Sequence, residues 1–326
     1  MSGRTGPGQL PGALRGLDGF ERRVDDEDRQ RLMTAADEAL EHEPEPSDPL
    51  EVSDTDGPFV IDARKAWTLA LAGHLSGEDR YLEAAEATLD GWVSTAQSVE
   101  NACPDDGGCS TSLMVSRSAP ALVFVADLLV VEGRLNDEDL RQFHRWLREV
   151  ILPAASDRKN NWGDAGTYLR AVVGAELDDQ EVLERAAQLW RRRIDLIEPD
   201  GQIPEEIRRG HASLMYSQDA LDYKVATADV LSRSGIDVWN DVGSRGGSLR
   251  AALDLVATGM ETATSWPVQA VDAPVRVPEP SGGWSIAARH WPDESFVELA
   301  FRSAQTEPSG HSAVLWTHLT HPAPDR

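Results

Sequence analysis

Four pairs of amphipathic helical segments follow one another along the chain at a spacing of roughly 50 residues, and that repetition leaves few folds open. In the first pair, Phe59, Ala63, Ala66/Trp67, Ala70/Leu71 and His74/Leu75 recur at helical spacing. Its second member runs through Tyr81, Leu82, Ala85, Leu89, Trp92 and Val93, with Ser76 and Asp79 as a capping-box variant between the two. Leu113–Val131 with Asp137–Leu152, Asp164–Ala175 with Gln180–Ile197, and Ser213–Ser232 with Ser248–Thr258 make the other three. A further helix over Val24–His42 precedes them and ends at EPEPSD. Strand alternation is absent from this part of the chain. The fold class is therefore all-α, with helix hairpins stacked either as an open solenoid or around an α/α toroid.

Both ends read differently. Residues 1–20 are small, Gly/Pro-rich and aperiodic, and are expected to be disordered. Met1–Leu17 has no apolar core of the kind a secretory signal carries. The helical body is expected over 21–265. A C-terminal extension over 266–326 follows, in which Pro267, Pro274, Pro278 and Pro280 interrupt any helix. There Trp284–Arg289 and Ser295–Phe301 have a short strand-like alternation, and the extension is expected to pack on the helical body.

Charge limits the partners. The formal net charge is -25, and 28 of the 31 basic residues are arginine, lysine occurring only at Lys65, Lys159 and Lys224. Nucleic acid is not expected as a partner, because binding it requires a basic footprint. A polyanion needs a local basic cleft, or screening by salt, to approach. Leu113–Val131 is long enough to raise the question of a membrane span, but Arg117, Pro120 and Asp127 interrupt it, so a buried helix is expected. Cys103 and Cys109, in ACPDDGGCS, are spaced for a small disulfide or two thiols. They have no second Cys or His pair with which to hold a metal.

The chemistry concentrates in Pro199–Leu231 and the lead-in Lys159–Trp162. On the helix starting near Ser213, Leu214, Leu221, Val225 and Ala228 form one stripe. Tyr216 lies about 140° from Leu221 and shares its face with Asp219 and Tyr223. If helical geometry extends back to Arg209, that residue falls two turns before Tyr216 on the same side.

The run from Asn160 to Leu221 resembles the alginate lyase superfamily, including polysaccharide lyase family 5. It carries in order an Asn pair (Asn160-Asn161), a helix pair, the D-G-x-x-P-x-E-x-x-R stretch (Asp200, Gly201, Pro204, Glu206, Arg209) and then Leu214 and Tyr216. Weaker similarity extends to Ala63–Trp92, to GGWSIAARHW and to the closing WTHLTH. The resemblance implies an incomplete α/α toroid, cleavage of a uronate polymer by β-elimination, no cofactor and no metal, and a secreted or periplasmic location. It assigns catalysis to Tyr216, Arg209 and Asn161. Where alginate lyases follow the Asn pair with histidine this chain has Trp162, and His211 is the candidate to stand in for it. Asn160, Trp162, Arg117, Tyr223 and His290 are the candidate substrate contacts.

Elimination removes the C5 proton of a uronate and expels the oxygen on C4, while negative charge develops on the C6 carboxylate. Amide and guanidinium donors must face that carboxylate, and a base and an acid must serve the two proton transfers. In β-linked D-mannuronate or D-glucuronate both positions lie on one side of the ring, so one tyrosine can do both, starting as tyrosinate beside a positive charge. Two other readings are a glycoside hydrolase using carboxylates from Asp164, Glu205, Glu206, Asp219 or Asp222, and a non-catalytic uronate-binding homologue.

Overall fold

A computed structural model describes residues 9–52, 57–100, 110–268, 273–306 and 314–324. Its main helices are α1 (Asp26–Leu40), α2 (Pro58–Ser76), α3 (Asp79–Thr95), α4 (Thr111–Val131), α5 (Asp137–Trp146), α6 (Asn161–Glu176), α7 (Gln180–Ile194), a single turn α8 (Pro204–Ile207), α9 (Ser213–Arg233), α10 (Leu249–Glu261), α11 (Gly283–His290) and α12 (Glu294–Gln305). Cys103 and Cys109 lie outside the described residues.

Local signals account for the helix ends. Asp25 caps α1 by accepting from the Asp28 N–H, ahead of an acidic first turn that suits the helix dipole. Gly77, at φ 72°, closes α2 in the left-handed conformation. Asn136 and Asp139 form a reciprocal capping box that starts α5. Ser76 does not cap α3; its hydroxyl accepts the Glu78 N–H in the turn before it.

The apolar stripes then set the layers. α2, α4, α6 and α9 pack side by side as the inner wall of an open toroid, with α3 outside α2, α7 outside α6 and α10 outside α9. α4 buries every residue except Arg117, Val130 and Val131. It is long and apolar enough to cross a membrane, but 83% of its most apolar window is buried inside the fold, as a core helix would be. The exception at Arg117 matters, because a guanidinium on a core helix must face a polar space.

Two expectations fail at the chain ends. Residues 9–20 are ordered against the body: Leu10, Ala13, Leu14, Leu17 and Phe20 are buried, an apolar set that the surrounding Gly and Pro obscured. The strand-like tail segments are the helices α11 and α12, because the apparent alternation was the buried edge of short amphipathic helices. α11 packs on α9, and the Trp284 indole N–H donates to Gln218 Oε1 at 2.9 Å.

A buried acid pair holds the N-terminal segment. The Leu14 N–H donates to Asp127 Oδ2 at 3.0 Å, Asp127 is hydrogen-bonded to Glu176, and His144 Nε2 lies 2.7 Å from Glu176 Oε1. Burial, opposed by the Asp127 hydrogen bond, moves Glu176 from 4.5 to about 7; burial and the Glu176 charge also raise Asp127. A carboxyl with a raised folded-state pKa binds more protons folded than unfolded, so stability falls as pH rises. For Glu176 that stability is complete below pH 4.5 and lost as pH passes about 7. Thermal melts are therefore expected to fall between pH 5 and pH 8, with a shallower slope in Glu176→Gln. An equal slope in that variant would remove the pair as the cause.

Candidate active site

The start of α6 is fixed by its neighbours. Asn160 is the N-cap, its side-chain oxygen accepting the Trp162 N–H at 3.2 Å. The preceding loop lies so close to α6 that a Cβ at Gly163 would meet the Arg158 carbonyl and the Arg193 guanidinium, and one at Gly166 the Ser156 carbonyl. Arg170 holds the same loop through the Ala155 and Ser156 carbonyls, both at 3.1 Å. Gly166→Ala is expected to cost about 1–3 kcal/mol through overpacking against backbone; an unchanged denaturation midpoint would contradict this close contact.

The Asp200-to-Arg209 motif acquires a physical reading. Gly201, at φ 87°, lets the turn sit on the Ala251 carbonyl of α10. Pro204 opens α8 at a position where no N–H is needed. α8 then buries Glu206, whose Oε1 accepts the Asn161 backbone N–H at 2.9 Å while Oε2 lies 3.8 Å from Arg209 Nε. Burial raises Glu206 to about 7 against the opposing Asn161 N–H, with nearby Asp164 adding to the rise and Lys224 and Arg209 opposing it. Glu205, one residue earlier, is at the surface with Arg208.

Arg209 reaches Tyr216 without a continuous helix. Gly210 turns the chain at φ 60°, Gly210–Ala212 is a 3-10 turn, and α9 starts at Ser213. The guanidinium carbon nonetheless sits 4.7 Å from the centroid of the Tyr216 ring, on its face. One helical turn along α9, Asp219 Oδ2 accepts from Asn161 Nδ2 at 2.6 Å, and its Oδ1 lies 3.6 Å from Arg117 Nη2. Inner helices α4, α6 and α9 thus bring Arg117, Asn161 and Asp219 together on the side of α9 that carries Tyr216. Asn161 Oδ1 is buried with no hydrogen-bond partner among the described residues.

The other sequence candidates have different surroundings. Tyr223 is enclosed in the core beside Tyr168, at 6.5 Å between ring centroids, behind the Arg117 and Asp219 side chains whose charges act on it. Burial, partly offset by Arg117, drives its phenol well above the ordinary range. His290 stacks on Trp239 at 4.1 Å and 11°, and the charges nearest it are Asp237, just beyond the end of α9, and Asp229 in its last turns. Asp229 is some 20 Å along the helix from Tyr216 at 1.5 Å per residue. Trp162 is half-buried with Arg158 across one face at 4.0 Å. His211 is exposed on the 3-10 turn, where its carbonyl accepts the Arg276 N–H at 2.7 Å.

Sequence reasoning placed Glu206 and Asp219 among the alternatives and missed their part in this cluster. Glu206 was marked by its place in the P-x-E motif, and Asp219 by its three-residue offset from Tyr216.

A family model described as alginate lyase matches residues 57–266, spanning the hairpins and every residue of the cluster. The chain belongs to the alginate lyase family. With that family it is a polysaccharide lyase. Its fold is shared with an alginate lyase from Bacteroides ovatus, at TM-score 0.71 and 18% identity, over 96% of this chain and 99% of that one. It is shared equally with alginate lyase A1-III from Sphingomonas species A1, at TM-score 0.72 and 17% identity over 97% and 98% of the two chains. A histidine-to-alanine variant of alginate lyase A1-III, complexed with tetrasaccharide, aligns at TM-score 0.74 and 17% identity over 98% of each chain. No curated protein sequence matches.

Proposed function

We propose that this alginate lyase family member cleaves a β-linked uronate polymer, alginate rich in mannuronate or a glucuronan, by metal-independent syn elimination. The observation that carries the reading is the Arg209 guanidinium on the face of Tyr216, next to the Asn161–Asp219–Arg117 cluster.

In this reading the C6 carboxylate of the substrate is held by the Asn161 amide and the Arg209 guanidinium, which offset its growing charge as the C5 proton leaves. Tyr216, as tyrosinate, takes that proton. The C5–H electron pair forms the C4=C5 double bond, the C4–O bond breaks, and the proton on Tyr216 passes to the departing oxygen. Glu206 acts through Asn161, by fixing its backbone, and is a positioning residue. With Trp162 in place of histidine, His211 is the remaining imidazole close in sequence to Arg209, and its exposure leaves it free to approach a bound chain. A hydrolase reading gains little support from the carboxylates: Asp164, Glu206 and Asp222 are buried, and Asp164 is ion-paired with Lys224.

The test is digestion of alginate, polymannuronate, glucuronan and a neutral glucan at low and high salt, followed by the ultraviolet absorbance of the 4,5-unsaturated uronate. Absorbance is expected to grow with at least one uronate polymer and not with the glucan. Saturated reducing ends without absorbance would replace the lyase by a hydrolase, and binding without any product would mark a non-catalytic homologue.

A further inference from the structure

A second feature lies against the same loop that presents Asn161, on the outer side of the toroid. A groove of about 370 Å³ runs between residues 157–159 and α7, lined by Asp157, Lys159, Arg185, Arg192, Arg193 and Asp195 over the apolar Leu189 and Leu196. It gathers four cations against two carboxylates in a chain of net charge -25. Both carboxylates are already engaged: Asp157 pairs with Arg170 at 3.2 Å, and Asp195 Oδ1 accepts the Ser244 N–H at 2.7 Å.

The cations are not used by the fold in the same way. Arg191, outside the groove, is paired with Asp241 at 2.8 Å. Arg193 is buried, donates to the Asp157 carbonyl at 3.1 Å and has no partner for its Nε among the described residues. Lys159, Arg185 and Arg192 are exposed, and none forms an ion pair among the described residues. The dipole at the C-terminus of α7 accounts for a cation at Arg192, but not for Arg185 two turns earlier or for Lys159 on the facing loop. Arg185 and Arg192 are separated by seven residues, about 10 Å along one helix face, a reach that suits two sugar units of a chain rather than one. Mutual repulsion is part of the arrangement: Arg170 feels both Arg185 and Arg193, and Arg193 feels Arg192.

We infer that this groove is a distal subsite for the carboxylates of a polyuronate, in which Lys159, Arg185 and Arg192 hold a stretch of polymer that continues past the rim of the cleft. The inference rests on the uronate-polymer reading above for its ligand, though not on turnover. Lys159 directly precedes the Asn160 cap, so a chain leaving the cleft over the start of α6 meets the groove next. Exposed cations contribute mainly through long-range attraction and release of counterions, so their effect belongs to long chains and to low salt.

The experiment compares binding of long polymannuronate, a tetra-uronate and a sulfated glucan of matched length in two proteins. One is Tyr216→Phe, in which the polymer survives; the other adds Lys159→Ala, Arg185→Ala and Arg192→Ala. Polymer affinity at low salt is expected to fall at least tenfold in the combined variant, with a flatter salt dependence, while tetra-uronate binding in the cleft changes less than twofold. Equal polymer affinity and salt slope in the two proteins would overturn the subsite, as would failure of Tyr216→Phe to bind polymannuronate. Sulfated glucan bound as tightly, and lost in parallel, would overturn its commitment to carboxylates. A groove-dependent loss of polymer binding in a protein that yields no unsaturated product would leave the subsite standing and remove the lyase reading instead. Circular dichroism and the melting midpoint of the combined variant establish that it folds.

Discussion

Tyr216→Phe is expected to lower the rate of unsaturated-uronate release by about 10²–10⁴-fold, the range that a positioned acid–base group supplies. The ring, its half-buried setting and its contact with Arg209 all survive the change, so the melting midpoint and circular dichroism should match the parent. Full activity in the variant would take Tyr216 out of the chemistry. Arg209→Lys is the companion. It keeps the charge but loses the planar guanidinium that lies on the ring, so a marked loss of rate with little change in KM would tie Arg209 to the transition state and not to simple attraction.

The second large effect concerns the support behind that site. Lys224 and Asp164 form an ion pair, both at most 3% exposed, between α9 and α6. Glu206 feels both charges. Lys224→Met leaves the buried Asp164 carboxylate without its paired ammonium and is expected to cost about 3–5 kcal/mol of unfolding free energy. The denaturant midpoint measures it. Adding Asp164→Asn removes the uncompensated charge and should recover more than half of the loss, because a buried pair costs far more to break than to replace. A single variant as stable as the parent would show that this pair does not hold α6 against α9.

How much of this was legible beforehand varied with the kind of signal. Hairpins came through because burial on one face imposes the helical period on the sequence. The inner helices α2, α4, α6 and α9 were found within a few residues of their ends. The ends of the chain did not come through. Leu10, Leu14, Leu17 and Phe20 are spaced by irregular backbone, so no period announces that they are buried. Tail helices α11 and α12 are too short for the helical period to separate from alternation. In the site, the Arg209–Tyr216 contact was anticipated by helical offset, although the chain between them is not one helix. Glu205 and Glu206 show the limit: the two are chemically alike and adjacent, and only packing makes one a surface residue and the other the buried partner of Asn161. For Tyr223 and His290, the helix face and the neighbouring aromatic do not announce that one is enclosed in the core and the other stacked on Trp239.

The open toroid is fastened by its two chain ends. Arg233 donates to the Ala13 and Arg15 carbonyls at 2.6 and 2.8 Å, across 220 and 218 residues of sequence. Trp67 donates to the Leu315 carbonyl at 3.1 Å and Trp316 to the Thr68 hydroxyl at 2.9 Å, each across 248 residues. During synthesis the hairpins emerge one at a time and can pack on the one before. The second pair of fastenings waits for Leu315 and Trp316, so a ribosome stalled before them holds a row of stacked hairpins whose first inner helix, α2, still lacks its last neighbour.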